Sequence, residues 1–503
     1  MPEPEWDVVV VGAGTAGCAL AARLADAGRR VLLLEAGADH ARPADFPPEI
    51  RDAATMWAAV PGHPANWDLT VKLTEGLTVP VPRGRVVGGS SALNAGSFLR
   101  ATRADLDGWA ADGNDLWSYD AVLPAYRRLE ADREFGHLPG HGANGPMPVT
   151  RGRSGHPLVD AFAAAAAELG HPAEPDKNAD GPPGYGPVPM NVLDGVRVNT
   201  AMAYLSPRRG LAGLTVRGGT TVRRVVVERG RAVGVETADG VVRAAEVVLS
   251  AGAVASPHLL LLSGIGPAAD LRRAGIAVAA DVPGVGAGFT DHPTVYVGYR
   301  PARPLPPPAL PLHGVLHATS SGAAVPGDLE VLPWLTPFSR ITGGSPDDDL
   351  VVGVGLQRED SRGRLALDDV DPRRQPRLSY GYLTEESDRR RLREGVRLAA
   401  ALLGAGALAP LVAGRTDLPD PVLDGDRELD GWIRAHLTTA IHLSGTARMG
   451  PDGDPGAVVD QRLRVRGLDG LRVVDTSVLP RAPSRGPAAT AVMLGERAAE
   501  LMR

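Results

Sequence analysis

The stretch that most restricts what this chain can fold into is its opening. Residues 7–11 form a short apolar run, Gly12, Gly14 and Gly17 follow at once, residues 18–27 carry helical spacing, and Val31–Leu34 is a second apolar run ending in Glu35. Strand, tight turn, helix, strand and terminal acid in this register predict the first unit of a doubly wound α/β domain that binds a dinucleotide. Gly12 permits the turn, Gly14 lets a pyrophosphate approach the backbone, and Gly17 lets the helix lie close on the sheet. The helix N-terminus then faces the phosphates. Glu35 is placed to accept hydrogen bonds from ribose hydroxyls, which disfavours a 2′-phosphate there; FAD and NAD both meet these requirements.

The remaining bulk properties narrow the class. A chain of 503 residues exceeds one ordinary core, so two domains or an interleaved pair are expected. Its apolar and charged fractions, 44% and 22%, match a soluble globular protein, and no run approaches the roughly 20 apolar residues of a membrane span. A net charge of −6 counts against nucleic acid as a partner. Lys72 and Lys177 are the only lysines, so basic charge is almost all arginine, a bias of the whole chain rather than of a patch. Cys18 is the lone cysteine, which excludes an internal disulfide and a Cys-rich metal site, and no metal is expected. Residues 1–7 are acidic and lack the basic flank and cleavage site of a secretory signal, so the expected compartment is the cytoplasm.

Two further segments are rich in small residues. Residues 84–96 read GRVVGGSSALNAG and residues 252–266 read GAVASPHLLLLSGIG, the second following a strand at 246–250. Small residues and backbone donors of this kind suit a chain that passes against a planar cofactor. Together the two segments resemble the signature motifs of the glucose-methanol-choline (GMC) oxidoreductases, at essentially every specified position. Residues 105–130, Asp291-His292-Pro293 and residues 475–502 are similar to further family segments. The resemblance implies an FAD-binding α/β domain with an interleaved substrate domain built on an antiparallel sheet capped by helices. It also implies that Gly12, Gly14, Thr15, Ala16, Gly17, Glu35 and Ala36 hold the ADP half, and that Val222 meets adenine through its backbone. Arg85, Gly88, Gly89, Ser90, Asn94, Ala95 and Gly96 would line the flavin, with Gly252, Asp475, Pro487 and Ala488 completing the cofactor site. Some family members tether FAD through a histidine beside the first motif's asparagine; Leu93 stands there in this chain, which implies non-covalent FAD.

The run from His442 to Gly450 resembles the family stretch whose histidine faces the flavin. Alcohol oxidation by hydride transfer needs a base for the hydroxyl proton, and an imidazole titrates near working pH, so His442 is the expected base. His436, His292 and His63 lack that motif context. Family members pair this histidine with a second His or Asn before the last helix, but here the corresponding position is Gly486 or Ala488. Arg485 supplying the charge, a water filling the space, or a site that no longer oxidises ordinary alcohols are the three readings. The first is preferred, because a guanidinium in a dry site stabilises an alkoxide, a carboxylate or an anionic reduced flavin.

The organisation follows from the same resemblance: FAD-binding parts at 1–110, 205–290 and 443–503, with substrate-domain parts at 111–204 and 291–442. Residues 301–311 are proline-rich and residues 348–356 alternate like a strand. Residues 176–204 are similar to the family region that closes the site. The expected activity is oxidation of a small alcohol with FAD as hydride acceptor, the final electron acceptor (oxygen, quinone or another carrier) being unspecified. The resemblance extends to mycofactocin-associated members, which would take reduced mycofactocin as donor. The alternative is a non-oxidative enzyme on the same scaffold, of the hydroxynitrile lyase or photodecarboxylase type.

Overall fold

Four consecutive valines close the strand β1 (Trp6–Val11), and all four are buried because the strand lies inside a sheet covered on both faces. The computed structural model that shows this describes residues 6–152, 155–343 and 349–503. β1 is joined by β2 (Val31–Leu34), β3 (Leu214–Arg217), β4 (Arg224–Glu228), β5 (Arg231–Thr237), β6 (Gly240–Leu249) and β7 (Leu471–Val473). The sheet order is β3-β2-β1-β6-β5-β4, with β7 also pairing β6. The first half of β6 runs antiparallel to β5, and its second half lies parallel between β1 and β7. Chain segments far apart in sequence therefore meet in one parallel core.

Four helices position the site: α1 (Thr15–Asp26), α2 (Tyr119–Leu129), α3 (Glu386–Gly404) and α4 (Ala488–Leu501). α1 begins three residues earlier than its spacing predicts, since the turn leads straight into it. A Cβ at Gly17 would lie 2.0 Å from the Gly12 carbonyl oxygen, so only glycine lets α1 leave the turn at this angle. Gly12 itself has φ +100° and would place a Cβ 2.5 Å from the Ser250 carbonyl oxygen at the end of β6.

α4 lies along α1, and α2 packs on α4. Glu496 of α4 sits where they meet, 1% exposed. Its carboxylate accepts from Arg23 Nε at 2.9 Å, Arg128 Nε at 2.8 Å and the Tyr204 hydroxyl at 2.7 Å. Tyr204 comes from a five-residue π-helix, Ala201–Leu205, inside the segment similar to the family's closing region.

The second large sheet is antiparallel throughout. Across it run Val412–Arg415, Pro293–Pro301, Leu350–Leu356, Leu329–Pro333, Gly314–Ala318 and Tyr185–Pro187, with Thr438–Thr439 beside Pro293. The strand expected at 348–356 begins at Leu350; Asp348 lies outside the described residues. α3 covers one face, and Gly395 makes the close approach, with Val354 and Leu329 nearest to it. The other face looks into the cavity described below. A smaller sheet of Leu69–Thr74, Leu77–Val81, Ala287–Phe289, Gly363–Ala366 and Arg377–Ser379 joins segments of both regions. This is the α/β domain with an interleaved antiparallel-sheet domain that the sequence predicts. Among the described residues no helix is long and apolar enough to cross a membrane.

Replacing Glu496 with Gln removes one acceptor charge from two arginines and a tyrosine at a buried three-helix junction. The expected loss is about 3 kcal/mol of unfolding free energy, measured by chemical denaturation of the two proteins; an unchanged midpoint would show that the junction holds without the charge.

Candidate active site

The carboxyl ends of β1, β2 and β6 open onto one cavity of about 800 Å³. Gly12, Gly14, Thr15, Ala16, Glu35 and Ala36 line it there. Gly14 caps α1 without a side-chain acceptor, so the first-turn amides of the helix are free for an anionic ligand. The Glu35 carboxylate accepts from Ala13 N at 3.0 Å and Gly37 N at 2.8 Å. Burial pushes its carboxyl up to about 7, against the pull of those amides, which marks a group made to be covered by a hydrogen-bonding partner.

The wall continues through Gly89, Ser90, Asn94 and Ala95, and through Val222, Gly252, Pro487 and Ala488. Asp475 also lines it, fixed by Gly252 N at 2.9 Å and the Ser256 hydroxyl at 2.6 Å. Three glycines expected at the cofactor act one layer behind. Gly17 sets the helix angle, Gly88 N donates to Ala13 O at 2.7 Å, and Gly96 N donates to Asn94 Oδ1 at 3.0 Å.

Two arginines are not where the sequence places them. Arg85 is exposed, its guanidinium 4.9 Å from the centre of the Trp67 ring, and Arg83 lines the cavity instead. Arg485 is buried behind the wall, and its Nη1 donates to the Gly327 and Ser484 carbonyls at 3.1 and 2.6 Å. It does not reach the reacting space; the large side chain turns away because Gly486 and Pro487 occupy the wall itself.

His442 lines the cavity. Its backbone N–H donates to Asp291 Oδ1 at 2.8 Å, and the same oxygen accepts from His292 N at 2.7 Å. One carboxylate thus fixes the backbones of two histidines 150 residues apart. Ile441, just before, holds φ +68°, a costly conformation for a β-branched residue that turns the next side chain into the cavity. The two Nδ1 atoms lie 2.9 Å apart with the rings edge to face at 5.0 Å.

Between two nitrogens at that distance one proton is shared. Burial pushes His292 down to about 3 and holds His442 well below the ordinary range, with His292 and Arg83 adding to the effect, so both rings are neutral. His292 Nε2 is buried and has no hydrogen-bond partner among the described residues. A proton on that Nε2 leaves His292 Nδ1 to accept from His442 Nδ1, and His442 Nε2 is then a bare lone pair. A Cβ at Gly486 would lie 3.3 Å from this Nε2. Of the two positions named from the sequence, Gly486 therefore faces His442, and Ala488 begins α4.

Residues 6–294 match one family model described as GMC oxidoreductase, and residues 359–495 match a second of the same description. The chain belongs to the GMC oxidoreductase family. It is 40% identical to a GMC-type oxidoreductase of Rhodococcus erythropolis over 100% of this chain and 99% of that one. It is 34% identical to the oxygen-dependent choline dehydrogenase of Photobacterium profundum, over 98% and 92% of the two chains. The solved structure of pyridoxine 4-oxidase from Mesorbium loti superimposes with a TM-score of 0.91 at 31% identity, covering 99% of each chain.

GMC oxidoreductases bind FAD, and this chain is an FAD-dependent alcohol oxidoreductase of that family. The site fits the cofactor on its own terms: an uncapped helix N-terminus for a pyrophosphate, the buried Glu35 for a ribose, and small residues along the wall between them and His442. Sequence reasoning gave His292 little weight because no spacing signal links it to His442; its place in Asp291-His292-Pro293, a segment similar to the family's, was the available hint.

His442→Ala is expected to slow reduction of the bound flavin by a substrate alcohol by about a hundred-fold or more. Because the imidazole is held below its ordinary value, its base form is already complete at neutral pH. The wild-type rate should stay level from pH 6.5 to 8.5 and fall only in acid, and stopped-flow rates that climb across that interval would assign the base to another group.

Proposed function

We propose that this GMC oxidoreductase oxidises the CH–OH group of a small alcohol, with His442 taking the hydroxyl proton at Nε2 as the carbon loses hydride. The observation that carries the reading is the His442 imidazole, held well below its ordinary range by desolvation, in the same cavity as the uncapped helix and Glu35. When bound, FAD supplies the two-electron acceptor. The residues do the rest. Asp291 and Ile441 aim the imidazole, and with His292 Nδ1 accepting the Nδ1 proton of His442 the nitrogen facing substrate is left to accept. The product is the carbonyl compound.

Gly486 leaves the substrate oxygen without the second side-chain donor that family members carry, and substrate or water occupies the space. Leu93 lines the cavity where a tethering histidine stands in some relatives, which supports FAD held without a covalent bond. The curated relatives include a choline dehydrogenase described as oxygen-dependent, and the solved neighbours include an oxidase, so oxygen stands among the acceptors to be tried beside a quinone. A cytoplasmic site of action and reduced mycofactocin as donor remain part of the proposal.

The test is anaerobic mixing of the yellow protein with a panel of alcohols and with reduced mycofactocin, following the flavin band. Bleaching names the donor class, and readmitting air then separates oxidase from dehydrogenase. Acid precipitation should leave all the flavin in the supernatant. Failure of every donor to bleach a plainly bound flavin would transfer the reading to a non-oxidative enzyme of the hydroxynitrile lyase or photodecarboxylase type, with Gly486 as its cause.

A further inference from the structure

The second sheet presents two rows of side chains to the cavity. Thr294, Gly355, Glu330 and His317 are register partners on four neighbouring strands, and the first three line the cavity. In the next row Tyr296, Gly353 and Leu332 line it. The two glycines hollow the middle of the sheet: a Cβ at Gly355 would lie 2.9 Å from Gln357 Nε2, and one at Gly353 would lie 3.2 Å from the Tyr296 ring. The hollow therefore has one polar row, ending in a carboxylate, and one apolar row.

Glu330 is wired from behind. Lys177 is buried, and its Nζ contacts the Glu174 carboxylate, the Gly184 carbonyl at 2.6 Å and His317 Nδ1 at 3.2 Å. Burial lowers its ammonium to about 8, so it is charged at neutral pH. An ammonium only donates. His317 Nδ1 must then accept, its proton sits on Nε2, and Nε2 donates to Glu330 Oε2 at 3.3 Å. Glu330 Oε1 has no hydrogen-bond partner among the described residues, and the side chain is 14% exposed in the cavity wall. Burial raises the Glu330 carboxyl above its ordinary range, and Arg485 and Lys177 act against that from behind. What the site leaves unmet is one acceptor atom, Glu330 Oε1.

We infer that Glu330 selects substrates whose carbon chain ends, opposite the reacting alcohol, in a second hydrogen-bond donor, a primary ammonium or a hydroxyl, and rejects a carboxylate there. The carbon skeleton lies along Tyr296 and Leu332. The inference rests on the alcohol-oxidising reading and names its substrate class. A fully alkylated ammonium has no N–H to give to that oxygen.

Binding of non-oxidisable probes to the holoenzyme tests this without turnover, so it fails independently of the alcohol reading. By calorimetry, propylammonium should bind about ten-fold or more tighter than propyltrimethylammonium or butyrate. In Glu330→Gln, His317 Nε2–H still needs an acceptor and takes the amide oxygen, which turns the NH2 into the cavity. The order of propylammonium and butyrate should then invert. Butyrate binding wild-type protein as tightly as propylammonium overturns the proposal, as does an unchanged order in a variant that melts like the wild type. Should the variant fail to fold, the wild-type order alone decides.

Discussion

The approach of the glycine turn to the end of β6 is the constraint on which the rest of the molecule depends. At Gly12 the backbone reverses with its α-carbon against the Ser250 carbonyl, and the helix leaves so steeply that Gly17 touches the Gly12 carbonyl. A methyl group at either place would push α1 off the sheet. Because α4 lies along α1 and carries Glu496, and because Ala488 and Pro487 at its start line the cavity, the position of α1 passes on to the wall opposite His442. Glu35 fastens the same turn from its other side through Ala13 N and Gly37 N, so the group that would bind a ribose is also a brace.

The corner around His442 is built on a different principle. No helix or strand places His442; a single buried carboxylate oxygen and a left-handed Ile441 do. Asp291 and His292 are fully buried, so no solvent competes for the carboxylate that fixes both backbones. Burial also keeps both imidazoles neutral, and neutrality lets two facing nitrogens share one proton instead of repelling. Position and protonation state come from one cause. Gly486 belongs to the same economy of space, since a side chain there would crowd Nε2.

How much of this is legible in the sequence depends on distance along the chain. The turn, Glu35, the small-residue segments and His442 are local patterns, and each has a spacing that physics requires; all four line the cavity or support its wall. Arg85 and Arg83 sit two residues apart in an irregular segment, and a motif does not say which of them turns toward the cavity. The His442–His292 pair and the Thr294, Gly355 and Glu330 row join positions far apart in the chain, and only strand register brings them together. Glu330 carries no sequence signal at all: it is one acidic residue in a strand whose neighbours alternate correctly without it.

Arg485 shows what register does to meaning. A guanidinium in the wall of a dry cavity would favour an anionic substrate, which is the reading its place beside Gly486 invites. Set one layer back and bonded to two carbonyls, the same charge only offsets in part the burial that raises the Glu330 carboxyl, and the group lining the cavity is Glu330. Lys177 reinforces the reversal, because an ammonium with three contacts fixes the direction of every hydrogen bond from itself through His317 to the cavity. The sign of a charge near a site says less about its ligand than the layer in which the charge sits.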